Sequence, residues 1–440
     1  MRNRAVVLGG GMAGLVAAKV LSEQFEEVLL VDRDQLAGVA DPRRGVPQGA
    51  HAHGLLAKGQ EVLEGMFPGL TRELADAGIP TGDMGVNLRW YFNGHRLQPK
   101  ATGLKVISAT RPELEGAVRA RVQALPNVRF LENHVILSLT VTQDRSRITG
   151  VKVAPEGEGA EVELTADLVV DATGRGSRTP AWLAELGYPR PEEDRVKIGL
   201  SYTTCHYRLR ENVLGEDMAI LCVATPDHPR GAFFSRLNDR YLLSLTGMLG
   251  DQAPTDPEGH LAFVKSLPVP DIHEAVHDAE VLDERVAFRY PASVWKHFER
   301  LTRFPLGLLV VGDGVCSFNP VYGQGMTVAA LEGLTLREHL KGGGLPDAKA
   351  FFTDVAKVIE APWGVAAGGD LSFPGVEGER SEEVLMGNAY MDRLRAAAEH
   401  DGIVTAAFMR VAGLIDPVES LMRPAMALRV SRHQPETQNA

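Results

Sequence analysis

Ala5-Val6-Val7-Leu8-Gly9-Gly10-Gly11-Met12-Ala13-Gly14 is the stretch on which the fold turns. Four uncharged apolar residues read as a short strand buried on both faces, the habit of a parallel sheet. Residues 12–24 then read as a helix with Leu15, Ala18, Val20 and Leu21 on one side, and 28–32, Val-Leu-Leu-Val-Asp, as the next strand. Strand, helix and strand form a β-α-β unit. The glycines between strand and helix are spaced G-x-G-x-x-G, at Gly9, Gly11 and Gly14. Gly9 permits the tight turn, Gly11 lets the backbone approach a pyrophosphate, and Gly14 lets helix and strand pack closely. The first turn, with Met12 and Ala13, offers free N–H groups and a positive dipole end to phosphate. Asp32 ends the second strand, eighteen residues after Gly14, with Arg33 beside it, and is placed to accept hydrogen bonds from ribose hydroxyls. This fingerprint serves FAD and NAD alike, so later residues must separate them.

Outward from this unit, residues 41–54 form a loop rich in Pro, Gly, Arg and His, and a helix is expected over 55–66. Residues 86–98 alternate around Trp90-Tyr91-Phe92 and read as a hairpin. An amphipathic helix is expected over 110–125, strands over 128–153, and a buried strand over 162–173. From 196 to 290 long alternating strands predict an antiparallel sheet. Residues 306–313 return to the buried parallel-strand pattern, with a helix over 325–341. The remainder reads as helical, including an amphipathic stretch over 414–428, a loop over 374–380 and a polar tail, 433–440, expected to fray.

Composition excludes several classes. The formal net charge of −11 argues against nucleic acid as a partner. Cys205, Cys222 and Cys316 are far apart and show no C-x-x-C spacing, which speaks against zinc, a disulfide framework or a redox dithiol and fits a reducing cytoplasm. Met1-Arg2-Asn3-Arg4 before an apolar run could open a signal peptide, but Gly9-Gly10-Gly11 breaks that run at once. No stretch is apolar enough to span a membrane, and the C-terminal helices are expected to pack over the protein rather than on a bilayer. His51 and His53 form an H-x-H pair with no carboxylate or cysteine cluster in support, so no metal site is assigned.

Two further strand-to-glycine turns stand at Asp171-Ala-Thr-Gly174 and Gly312-Asp313-Gly314. Asp313, at a strand end, can bind a polyol hydroxyl, as on a ribityl chain. Gly323-Gln324-Gly325-Met326 opens a helix whose N–H groups could hold negative charge at the N1/O2 edge of a reduced flavin. These three marks, in this order over residues 9–326, resemble the single-component, para-hydroxybenzoate-hydroxylase-like FAD monooxygenases. The middle mark departs from that family's Asp-Gly. The 44–53 segment and the stretch Pro362-Trp363 to Asp370-Leu-Ser-Phe373-Pro374 resemble the branch that includes bacterial polyether-pathway olefin epoxidases.

The resemblance implies an α/β fold: a Rossmann-type FAD-binding domain (1–85, 103–185 and 300–345), an inserted antiparallel-sheet substrate domain (86–102 and 186–299) and a helical C-terminal region (346–440). It implies that Arg111 contacts the FAD phosphates, that Arg43 or Arg44 lies near the cofactor, and that Pro320, Gly323 and Gly325 line the flavin's reactive side. Oxygen from O2 would be carried on flavin C4a to an apolar substrate, by olefin epoxidation or aromatic hydroxylation, with no obligatory catalytic side chain. No second G-x-G-x-x-G follows in β-α-β context, so NADH or NADPH would bind transiently, or a separate reductase would supply electrons. Trp90, Tyr91, Phe92, Tyr202, Phe233, Phe234, Phe288 and Tyr290 are candidate pocket walls, with core packing the alternative for each. A prenyl- or polyene-chain reductase and a non-redox lipid carrier remain alternatives. A halogenase is disfavoured because W-x-W-x-I-P is missing.

Overall fold

The computed structural model describes residues 2–39, 41–209 and 212–433. Its centre is a five-stranded, all-parallel sheet in the order Leu308–Val310, Leu168–Asp171, Arg2–Leu8, Phe25–Val31, Val128–Leu131. Ala5 to Leu8 are wholly buried, as expected of a strand covered by helices on both faces. The chain order reverses at Arg2–Leu8, so the crevice beyond its C-terminal end is where such a sheet takes a ligand. The three glycine turns leave the sheet at this edge, from Leu8, Asp171 and Val310.

A second, eight-stranded sheet forms the other half. Leu200–Arg208, Tyr241–Gly247, Arg230–Arg236 and Ala219–Val223 pair antiparallel in that order. Leu88–Phe92 then joins Ala219–Val223 in parallel, and Val286–Tyr290 pairs with Leu200–Arg208. The 86–98 hairpin turns at Asn93-Gly94, both at positive φ, the signature of a tight hairpin turn. The expected α/β fold, a Rossmann-like parallel core beside an antiparallel sheet, is what the chain adopts.

Two expectations are corrected. The buried strand over 162–173 is two strands. Val162–Thr165 joins a small antiparallel sheet and Leu168–Asp171 joins the parallel one. The amphipathic stretch over 414–428 is not one helix. Pro417 and Pro424 interrupt it, leaving a 3-10 turn at Val418–Met422 and a helix at Pro424–Ser431. Helix Ala348–Asp370, grouped by sequence with the C-terminal region, buries Phe351, Phe352, Val355 and Ile359 in the same core as the nucleotide half. Of the polar tail, residues 434–440 lie outside the described residues. No helix among the described residues is long and apolar enough to cross a membrane.

Candidate functional site

Gly9 has φ +97°, and a Cβ there would stand 2.6 Å from the Ala172 carbonyl oxygen. A Cβ on Gly14 would overlap the Gly9 carbonyl oxygen. Gly11 differs: among the described residues beyond its chain neighbours, a Cβ there would meet only Arg111 Nη2 within 4 Å, at 4.0 Å. The two outer glycines are therefore packing requirements, and the middle one faces open space. Above Gly11 stand the first N–H groups of helix Met12–Ser22, with Met12 and Gly14 buried in its first turn, and the guanidinium of Arg111. A helix N-terminus and an arginine around an open cradle suit a pyrophosphate.

Arg111 opens helix Arg111–Gln123, which starts with a complete capping box between Thr110 and Glu113. One turn on, Glu115 is 2% exposed and binds three arginines: Arg43 Nη2 at 2.6 Å, Arg111 Nε at 2.9 Å and Arg119 Nη2 at 2.9 Å. Burial would raise the Glu115 pKa, but Arg111 and Arg43 overcome it and bring it down to about 2. A buried carboxylate thus aims Arg111 at Gly11. Sequence reading missed Glu115, although Arg111-x-x-x-Glu115-x-x-x-Arg119 carries the i,i+4 signal.

Asp32 is held at the sheet edge. Its Oδ2 accepts from Gly10 N at 2.6 Å and its Oδ1 from Asp34 N at 2.8 Å. Next to it a cavity of about 270 Å³ opens, lined by Arg33, Asp34, Gln35, Arg43, Arg44 and Asn133 among others. Of the two arginines offered by the sequence, Arg43 is buried and ion-paired to Asp34 and Glu115. Arg44 is exposed and pairs at 2.6 Å with Glu156, itself exposed. Arg44 thus stands at the cavity's rim, paired with Glu156.

The other two turns meet the first. A Cβ on Gly312 (φ +65°) would come 2.7 Å from Ala13 Cβ, so this turn packs on the first helix. Asp313 follows, half-buried. A Cβ on Gly174 would lie 3.9 Å from Asp313 Cβ, and one on Gly325 3.7 Å from Asp313 Oδ1. Burial raises the Asp313 pKa, against the pull of Arg175, Arg111 and Lys296. Gly174, Asp313 and Gly325 thus surround one point. Asp171 does not join them. It is fully buried and accepts from Thr173 N and from the hydroxyls of Thr173, Ser177 and Thr179. The Asp171 carboxylate holds the turn that presents Gly174.

Glu332, on helix Gly325–Leu340, is wholly buried and accepts the Gly312 N–H. Burial pushes its pKa up to about 8, with Asp313 adding to the rise. Such a group is stable protonated, so its cost grows as pH rises from about 4.5 to about 8. Glu332→Gln keeps an acceptor and removes the ionisation. Its melting temperature is expected to fall less between pH 6 and pH 8.5 than that of the parent, and an equal fall in both would contradict this.

Opposite the cradle, cross-strand neighbours Trp90, Leu221, Phe233, Ser244 and Thr204 run in a row over one face of the large sheet, with Tyr202 and Phe288 beside them. This face meets the nucleotide half. His51 Nδ1 lies 2.8 Å from Thr204 Oγ1, Ala52 N donates to Ser244 Oγ at 3.0 Å, and the His51 ring stands 5.7 Å from Tyr202 and 5.4 Å from Phe288. Burial lowers the His51 pKa to about 4, so its imidazole is neutral. Phe234 is corrected as a pocket wall. Strand alternation turns it to the far face, where it stacks on Tyr241 beneath helices Pro257–Lys265 and Pro270–Val276. Phe92 and Trp90 pack edge-on against Phe408 of helix Gly402–Ala412, a core contact. Tyr202 and Phe288 are the candidates left nearest the junction. Pro320 is exposed and Gly323 half-buried, on the turn that leads to Gly325.

The family model for FAD-dependent oxidoreductases matches residues 5–244, more than half of the chain. The chain belongs to that family. At the C-terminal edge of its parallel sheet stand an open turn at Gly11, a carboxylate at Asp32 and a second at Asp313. Protein Rv3254 of Mycobacterium tuberculosis is 32% identical over 434 residues, covering 94% of this chain and 90% of its own. Kynurenine 3-monooxygenase of Salinispora arenicola is 28% identical over 356 residues, covering 77% and 72%. A flavoprotein/dehydrogenase structure from Cytophaga hutchinsonii superposes with a TM-score of 0.70 at 15% identity, covering 98% of this chain and 97% of its own, a likeness of fold.

Proposed function

We propose that this oxidoreductase is a monooxygenase that transfers one oxygen atom from O2 to a small apolar organic substrate, by epoxidation of an olefin or hydroxylation of an aromatic ring. The observation that carries the reading is the junction itself. The Asp313–Gly325 end of the cradle and the Tyr202–Phe288 face of the large sheet both close around the 51–56 segment, through His51 and through Leu56, which neighbours Gly323. The likeness to a kynurenine 3-monooxygenase supports it. Bound FAD supplies the redox chemistry between NAD(P)H and O2. The overall balance is substrate, O2, NAD(P)H and a proton to oxygenated substrate, NAD(P)+ and water.

The protein's own part is placement. Gly11, Met12, Ala13 and Arg111 would take the pyrophosphate of FAD, Asp32 its adenosine ribose and Asp313 its ribityl hydroxyls. With FAD bound, the N–H groups at Gln324, Gly325 and Met326 would be available to the ring's N1/O2 edge. Tyr202, Phe288 and the neutral His51 shield the substrate from water, which keeps reducing equivalents from being wasted. NADH or NADPH binds transiently in this reading. The test is NAD(P)H oxidation by the yellow protein across a panel of polyenes and phenols, with 18O2. Substrate-stimulated oxidation with one labelled oxygen in the product is expected. Turnover that continues without oxygen would make the protein a reductase instead, and a protein that cannot be made yellow would exclude both.

A further inference from the structure

We propose that Asp370 is a positioning residue for the flavin, acting through Asn319 to fix the turn at 319–323 beside the cofactor. This rests on the reading of the site given above. Asp370 lies at the last turn of helix Ala348–Asp370 and is wholly buried. Its Oδ1 accepts from Asn319 Nδ2 at 2.7 Å, and Asn319 is also wholly buried. The Asn319 side-chain oxygen in turn accepts from Val321 N at 3.1 Å, capping the 3-10 turn Pro320–Tyr322. That turn runs into Gly323, at φ +67°, and then Gly325, which adjoins Asp313. A second contact fixes the same turn. The Tyr322 hydroxyl packs so closely on Gly369 that a Cβ there would overlap it.

The groups around the Asp370 carboxyl are Asn319 and Tyr322 from the turn and Tyr202 from the large sheet. Arg395, from helix Glu382–Ala398, acts on Tyr322, and Arg380 binds the carbonyls of Leu371, Phe373 and Val376 beyond the helix end. None of these gives Asp370 an ion pair, and its Oδ2 has no well-formed hydrogen bond among the described residues. Burial therefore pushes its pKa up to about 7, with Asn319 and Tyr322 resisting. The turn is held by a neutral carboxyl below that pH and by a buried carboxylate above it. A new negative charge beside the turn changes the field at the flavin, and the visible flavin spectrum reads that field.

The test compares holoenzyme with Asp370→Asn and Asp370→Ala by visible absorption, flavin fluorescence and FAD titration from pH 5.5 to 8.5. The parent's flavin spectrum is expected to shift with one midpoint near pH 7. Asp370→Asn keeps an acceptor for Asn319, so it should bind FAD like the parent and lose the midpoint. Asp370→Ala should lose the midpoint and bind FAD at least fivefold more weakly. A parent spectrum that does not titrate, or a midpoint that persists in Asp370→Asn, overturns the proposal whatever becomes of the alanine variant's folding. A parent that takes up no FAD would instead overturn the reading of the site on which the proposal rests.

Discussion

Gly14→Asp is expected to give a colourless protein. A side chain on Gly14 has nowhere to go: its Cβ would overlap the Gly9 carbonyl oxygen, a backbone atom that can retreat only by moving the phosphate loop. The smaller Gly14→Ala meets the same atom and should already lose most of its flavin. Aspartate adds a negative charge near the pyrophosphate, against the helix N-terminus that attracts it. FAD affinity should fall at least 100-fold, about 2.7 kcal/mol. The distant large sheet, with its own core around Phe234, Leu243 and Leu245, should stay folded. FAD content per polypeptide and the far-ultraviolet spectrum check this. Full flavin content in Gly14→Asp would contradict it.

The second large effect is expected from Glu115→Gln. The substitution keeps size and shape but leaves Arg43, Arg111 and Arg119 clustered around a neutral group. Removing one partner of a buried ionic cluster costs about 3–5 kcal/mol, because the remaining charges stay desolvated and now repel. Denaturant unfolding of the FAD-free protein reads this cost. Excess FAD should recover part of it, since the pyrophosphate brings anions back to Arg111. The sign with pH also follows. The Glu115 pKa falls from about 4.5 to about 2 on folding, so its stabilisation is present above about 4.5 and is lost as pH falls toward 2. The difference between parent and variant should shrink over that window. A variant of unchanged stability at pH 7 would show that Arg111 is held in place by something else.

Much of this was legible in the sequence because the chemistry is local. A strand, three spaced glycines and a helix need only neighbouring residues to make their case, and so does the return to the parallel sheet at Leu308–Val310. What could not be read depends on partners far along the chain. Asp171 and Asp313 look alike as strand-end aspartates, but one turns inward to Ser177 and Thr179 and the other outward beside Gly325. Phe233 and Phe234 are adjacent, and only the pairing register decides which faces the junction. Asp370 gives no sign of its role until helix and turn are packed together. Arg43 and Arg44 divide by burial in the same way.

The central claim is that one flavin nucleotide spans the glycines near the start of the chain and the aspartate at 313. A crystal structure of the protein grown with FAD tests it most directly. The account predicts pyrophosphate oxygens within hydrogen-bond reach of the Met12 and Ala13 amides and the Arg111 guanidinium, with a ribityl hydroxyl on the Asp313 carboxylate. FAD bound elsewhere, or density for a different molecule across Gly11 and Asp313, would contradict it.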